Sequence, residues 1–116
     1  METSLLGSDV VARLATVEDV IGSVESGFAA DARGRAIMPA KSYVDLPAYN
    51  GDFRSMPVYL DVQPGDGPTD GSWDAAAVKW VNVHPDNPAD HDLPTVMGTI
   101  VFSDPETGFP LAIMDG

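Results

Sequence analysis

The apolar residues of this chain change period once, near Pro39, and that change confines the fold to a helical part followed by a β part. Before Gly34, Val17, Val20, Ile21, Val24 and Phe28 recur at helical spacing. Thr16 stands in the cap position, with Glu18 and Asp19 in the first turn. A shorter stripe of Val10, Val11 and Leu14 precedes it, with Ser8 as its expected N-cap. Gly34 suits the C′ position of the longer helix, and Pro39 forbids continuation. The apolar stripe of that helix is expected to face a sheet or another helix.

Beyond Pro39 the chain is β-rich and punctuated by Pro and Gly. The expected strands are 41–46, 53–62, 77–83, 96–103 and 110–114. Asn50-Gly51 reads as a hairpin turn between the first two. Residues 63–73 and 85–94 read as loops, and 104–108 as a short turn. Helices first and strands after give an α+β fold: two N-terminal helices followed by a mostly antiparallel sheet. At 116 residues this is one domain. The last expected strand runs straight into Asp115-Gly116, an end that reads as cut rather than finished.

Composition narrows the partners. Eighteen acidic residues against six basic ones leave a net charge of −12. That argues against nucleic-acid binding and against adhesion to anionic membranes. Asp outnumbers Glu 14 to 4, and there are only two Lys, a balance suited to very high salt, where self-repulsion is screened. Cys is absent, so no disulfide or thiolate metal site is available. No apolar run reaches the length of a membrane span, and no signal peptide opens the chain, so the expected compartment is the cytoplasm.

With six cations in all, their positions carry information. Arg13, Arg33 and Arg35 lie on or just after the helices, where solvation and the helix dipole account for them. Lys41, Arg54 and Lys79 lie in or at the start of expected strands. Lys79 shares a strand face with Ala77, Val81 and Val83. An ammonium there is costly unless paired and is suited to proton transfer; the alternative is a lysine snorkelling from a sheet edge. Arg54 shares a face with Asp52, Met56, Val58 and Leu60. It suits a bidentate clamp on a ligand carboxylate, or alternatively an ion pair with Asp52 or Asp45. Together the three cations suggest a small-anion pocket in an anionic protein.

Other clusters are weaker. His84, Asp86, Asp90, His91 and Asp92 combine imidazole and carboxylate, but no metal-binding spacing is present, and a solvated loop is the expectation. Asp66, Asp70 and Asp74 lie in the Gly-rich stretch without a calcium-loop pattern and are likewise expected to be solvated. No metal site is expected, and no glycine-rich phosphate loop occurs.

Four segments together resemble one family. They are Leu5-Leu6 with the opening helices; Met38-Pro39-Ala40-Lys41; Gly51-Asp52-Phe53-Arg54-Ser55-Met56-Pro57; and the run from Val78 to Asp115. That run includes Lys79-Trp80-Val81-Asn82, His84-Pro85-Asp86-Asn87-Pro88, Leu93-Pro94-Thr95-Val96 and the stretch from Asp104 to Asp115. The pattern is similar to the N-terminal part of the ornithine cyclodeaminase/mu-crystallin family, closest to its archaeal alanine dehydrogenase branch. It covers the chain except for extra residues in the 63–73 loop.

The resemblance implies an NAD(P)-dependent, homodimeric enzyme acting on an amino acid or 2-oxo acid. This part would supply substrate binding and half of a barrel-like dimer interface, with a Rossmann cofactor domain following it. By motif position, Lys41 is implied as a carboxylate ligand and Lys79 as the active-site lysine that contacts substrate and assists proton transfer. Met56 is implied as a pocket wall, and Thr95 as a neighbour of the nicotinamide. Cyclodeaminases of the family carry Glu two residues before this methionine; here that position is Arg54. A guanidinium repels a second ammonium and favours a carboxylate, which implies alanine dehydrogenase-like specificity. The Rossmann glycines and the family's catalytic Asp are not among these residues, so the chain alone is expected to be inactive.

Overall fold

The computed structural model describes residues 1–68 and 71–116. Helix α1 (Ser8–Leu14) begins one residue earlier than Ser8 capping implies. Gly7 is the extended N-cap, no side chain closes it, and Ser8 is already helical. Helix α2 (Val17–Ala32) is capped as its sequence indicates. Thr16 Oγ1 accepts from the Asp19 N–H at 3.1 Å, and Asp19 Oδ2 accepts from the Thr16 N–H at 3.3 Å. Gly34 follows with φ 76°, a left-handed residue that releases the helix.

The large apolar stripe of α2 is left largely uncovered, although Val24 and Phe28 line an open apolar groove with Val58, Leu60 and Trp73 of the sheet. Val17, Ile21 and Phe28 are 60–72% exposed, and Val20 and Val24 are half exposed. The helix instead packs through its small side chains. Ser26 and Ala30 are buried, and a Cβ on Gly27 would lie 3.5 Å from Leu60 Cδ1. Small residues let the helix approach the strands closely at that point.

Seven strands form one open, mixed sheet: β1 (Ser4–Leu6), β2 (Ala36–Ile37), β3 (Ser42–Leu46), β4 (Gly51–Val62), β5 (Trp73–Val83), β6 (Gly98–Ser103) and β7 (Pro110–Asp115). The order is β1-β7-β6-β5-β4-β2, with β3 also on β4. Among the described residues only β1 and β7 pair in parallel, and every other pairing is antiparallel. The α+β reading stands, with some boundaries moved. Strand β5 starts at Trp73 rather than Ala77, and β6 at Gly98 rather than Val96. The expected β3–β4 hairpin is present, but its connection is a 3-10 turn, Pro47–Tyr49, with left-handed Asn50, and Gly51 already pairs with Leu46 as the first residue of β4. The 85–94 loop contains one helical turn, α3 (Asn87–Asp90).

Strands β2 and β3 share one side of β4. Strand β2 pairs with Tyr59 and Leu60, and β3 with Gly51 through Ser55. Met56, Pro57 and Val58 lie in the gap between them. Pro57 lacks an N–H, and a stretch with no partner on one side tolerates it. The segment Met38–Lys41 crosses this gap between β2 and β3.

Strand alternation divides the sheet into two faces. The α2 face carries Arg54, Met56, Val58 and Leu60 of β4 and Ala77, Lys79 and Val81 of β5. The other carries Phe53, Ser55, Pro57 and Tyr59 of β4 and Val78, Trp80 and Asn82 of β5. Trp80 on this second face is 45% exposed, stacked on Phe53 at 4.9 Å between ring centroids. Few residues lie fully inside: Ala30, Val62, Val81 and Ala112 are the buried apolar side chains among the described residues. The radius of gyration is 16.2 Å, against about 13 Å for a compact domain of this length. The accessible surface is 7772 Å², against about 6100 Å² for a monomer of this mass.

Candidate functional site: a cationic patch on the central strands

The β4–β5 register brings three of the sequence-selected residues together. Met56 is directly opposite Lys79, and Arg54 is opposite Val81, which makes Arg54 the diagonal neighbour of Lys79 on the same face. On its other side Lys79 faces Ile100 of β6, and Ile100 faces Met114 of β7. The lysine therefore stands in a row of apolar side chains on a central strand, not at a sheet edge. Its stem leans toward the Arg54 row: a Cβ on Gly98 would lie 3.6 Å from Lys79 Cδ. Gly98 is itself opposite Val81. No ion pair engages Lys79 among the described residues.

Arg54 is engaged. Its Nε donates to Asp52 Oδ1 at 2.9 Å and its Nη2 to Asp52 Oδ2 at 3.2 Å, a fork along one edge of the guanidinium. Its Cζ lies 5.2 Å from the ring centre of Tyr43, the residue opposite it on β3. The Arg54 hydrogen bond holds the Asp52 carboxyl below its ordinary range, and Asp52 in turn raises Arg54. Of the two readings of Arg54, the ion pair with Asp52 is present. The partnership with Tyr43 becomes visible only once the β3–β4 register is known.

Lys41 is exposed, one residue before β3, so the strand expected from 41 starts at Ser42. Continuing the alternation by one residue gives Lys41 the face of Tyr43 and Arg54. Thr95 is not part of this register. It lies beyond the start of β6, where its carbonyl accepts from the His84 N–H at 2.8 Å and from Asn82 Nδ2 at 3.3 Å. Asn82 is buried and also accepts from the Met97 N–H at 2.6 Å, so one amide ties 95–97 to the end of β5. The sequence marks Asn82 only as a polar residue on a strand face.

The two acidic clusters resolve differently. No group of three or more His, Asp or Glu among the described residues is placed to hold a metal. His84 is not a solvated loop residue: it contacts Phe53 edge-on at 5.5 Å and covers Gly51, where a Cβ would lie 2.5 Å from its ring. Asp66 overturns the solvated reading of its loop. Its side chain is 1% exposed, paired with both Arg33 and Arg35, and accepts from the Gln63 N–H at 2.8 Å. These contacts, Arg35 first, pull its carboxyl down to about 2. Arg33 and Arg35 thus anchor a buried acid, beyond the solvation and dipole roles expected of them. Asp74 is exposed at the start of β5, and Asp70 lies outside the described residues.

Neither α1 nor α2 is built to cradle a dinucleotide. Its pyrophosphate needs free backbone N–H groups at a glycine-rich strand–helix turn. The N-terminus of α2 is closed by its own capping box and carries Glu18 and Asp19, which repel phosphate. Helix α1 has only seven residues and carries Asp9 in its first turn.

Known proteins match the whole of this architecture. The chain is 41% identical over 115 residues to an alanine dehydrogenase of Archaeoglobus fulgidus, covering 99% of this chain and 31% of that protein. An archaeal alanine dehydrogenase dimer solved with bound NAD superposes with a TM-score of 0.83 at 41% identity, over 99% of this chain and 31% of that one. The Δ1-pyrroline-2-carboxylate reductase of Thermococcus litoralis, solved with NADH and L-proline, gives 0.82 at 33% identity, over 98% and 32%. The chain thus spans about a third of the length of these relatives. The model of one family matches residues 1–116 throughout, and with the mixed sheet and the opening helices in place the chain belongs to the ornithine cyclodeaminase/mu-crystallin family.

Proposed function

We propose that this chain is the substrate-binding and dimerisation part of an alanine dehydrogenase-like enzyme. In its intact form that enzyme converts L-alanine, NAD and water to pyruvate, ammonia and NADH. The observation that carries this reading is the cationic patch: Arg54 and Lys79 are diagonal neighbours with Met56 beside them, in a chain otherwise strongly acidic. Arg54 and Lys41 bind the substrate carboxylate. Lys79 contacts the reacting end of the substrate and moves a proton there, and Met56 limits the side chain to a small one. Thr95 lies toward the nicotinamide. The cofactor's phosphates are held by residues other than these.

A homodimer fits the surface. The excess of about 1700 Å² over a compact monomer is roughly twice what one partner contributes to a standard interface. The exposed Trp80, Val44, Leu5 and Ile37 all belong to the second sheet face. The acidic surface suits a cytoplasm of high salt. No described helix is long and apolar enough to cross a membrane.

The alternative is reduction of a cyclic imine or an ornithine cyclodeaminase activity. A cyclic imino acid also presents one carboxylate to Arg54, and one relative was solved with L-proline. A non-catalytic small-carboxylate module is the third option. In the full-length protein, NADH oxidation with pyruvate and ammonia is expected to exceed that with Δ1-pyrroline-2-carboxylate. Arg54→Glu should reduce pyruvate amination by at least a hundredfold; an unchanged rate removes Arg54 from the site. The 116-residue chain alone should not turn over.

A further inference from the structure

We infer that Asp52 is a positioning residue: by holding one edge of the Arg54 guanidinium it determines which edge meets the substrate. This rests on the proposed role of Arg54 as a carboxylate ligand. A guanidinium has five N–H donors in a rigid plane. Asp52 occupies the Nε–Nη2 edge, at 2.9 and 3.2 Å. The two N–H groups of Nη1 and the second of Nη2 have no hydrogen-bond partner among the described residues, and the second N–H of Nη2 with the adjacent one of Nη1 forms a second edge that matches another carboxylate. The Tyr43 ring lies beside the guanidinium, its centre 5.2 Å from Arg54 Cζ. The Arg54 side chain is 31% exposed, so without these two contacts it would sample several rotamers and lose part of its binding energy to ordering. Across the strands Asp52 faces Val83 and Asp45, and Arg54 is its ion-pair partner.

The competing description makes Asp52 a rival anion. Its charge would then oppose a substrate carboxylate, and removing it would tighten binding. The two descriptions predict effects of opposite sign. In the full-length enzyme, positioning predicts that Asp52→Asn raises KM for the 2-oxo acid about tenfold with kcat within threefold. Asp52→Glu keeps the charge but displaces the fork by one methylene, and should give an intermediate KM. The Kd of oxamate, an unreactive pyruvate isostere, should rise in parallel. A KM or Kd that falls or stays constant in Asp52→Asn overturns the inference. If Asp52→Asn does not fold, the Asp52→Glu values decide, and an unchanged KM there overturns it as well. Arg54→Ala separates the two levels. If it leaves KM and the oxamate Kd unchanged, the carboxylate role of Arg54 fails; if it weakens both while the Asp52 variants match wild type, only the positioning role fails.

Discussion

Lys79 lies between Met56 and Ile100, positions that any linear apolar side chain would also suit. Lys79→Met should therefore keep or raise Tm while lowering pyruvate amination by the full-length enzyme at least a hundredfold; a Tm loss parallel to the activity loss would make the lysine structural. Asp66 behaves oppositely. It is buried against two arginines, and removing one member of such a group strands the others. Asp66→Asn should lower Tm by about 10 °C at pH 7. The folded carboxyl lies near 2, below its unfolded value, so its contribution is complete above about pH 4 and is lost as pH falls through about 2. The Tm gap between wild type and Asp66→Asn should accordingly close on acidification. Lys79 was legible in the sequence because its apolar face follows from two-residue alternation within one strand. Asp66 was not, because its partners are set by where a helix end some thirty residues earlier comes to rest.

At the level of elements, the parts that declare themselves locally were legible: the capping box of α2, its left-handed Gly34, and the long alternating strands β4 and β5. Thr16→Ala removes a reciprocal cap and should cost about 1 kcal/mol, read from a denaturation midpoint at constant slope. Gly51→Ala forces a Cβ into the His84 ring and should destabilise by about 1–3 kcal/mol in the same measurement. The elements that escaped reading are short. Strands β1 and β2 have three and two residues and α3 has four, too few for a periodic signal. The residues through which α2 closely approaches the sheet also escaped. Periodicity finds an apolar stripe, but the contact here is made by Ser26, Gly27 and Ala30, whose value is their small size.

Across the whole molecule, the distribution of apolar surface is the deciding property. A chain that leaves both a helix stripe and a sheet face open is incompletely buried as a monomer. The Tm of this chain should therefore rise with protein concentration, and should rise again between 0.1 M and 3 M NaCl as its charge is screened. Constancy across either series would count against the dimer or the salt adaptation respectively. The pairing of β1 with β7 has a further, kinetic consequence. Ser4 lies beside Ala112, and Thr3 Oγ1 donates to the Pro110 carbonyl at 2.7 Å, so the first strand waits for the last. During synthesis, β4 and β5 can pair as soon as both have left the ribosome. The amino terminus stays untethered until residues 110–115 have followed, which makes its docking later than the pairing of β4 with β5.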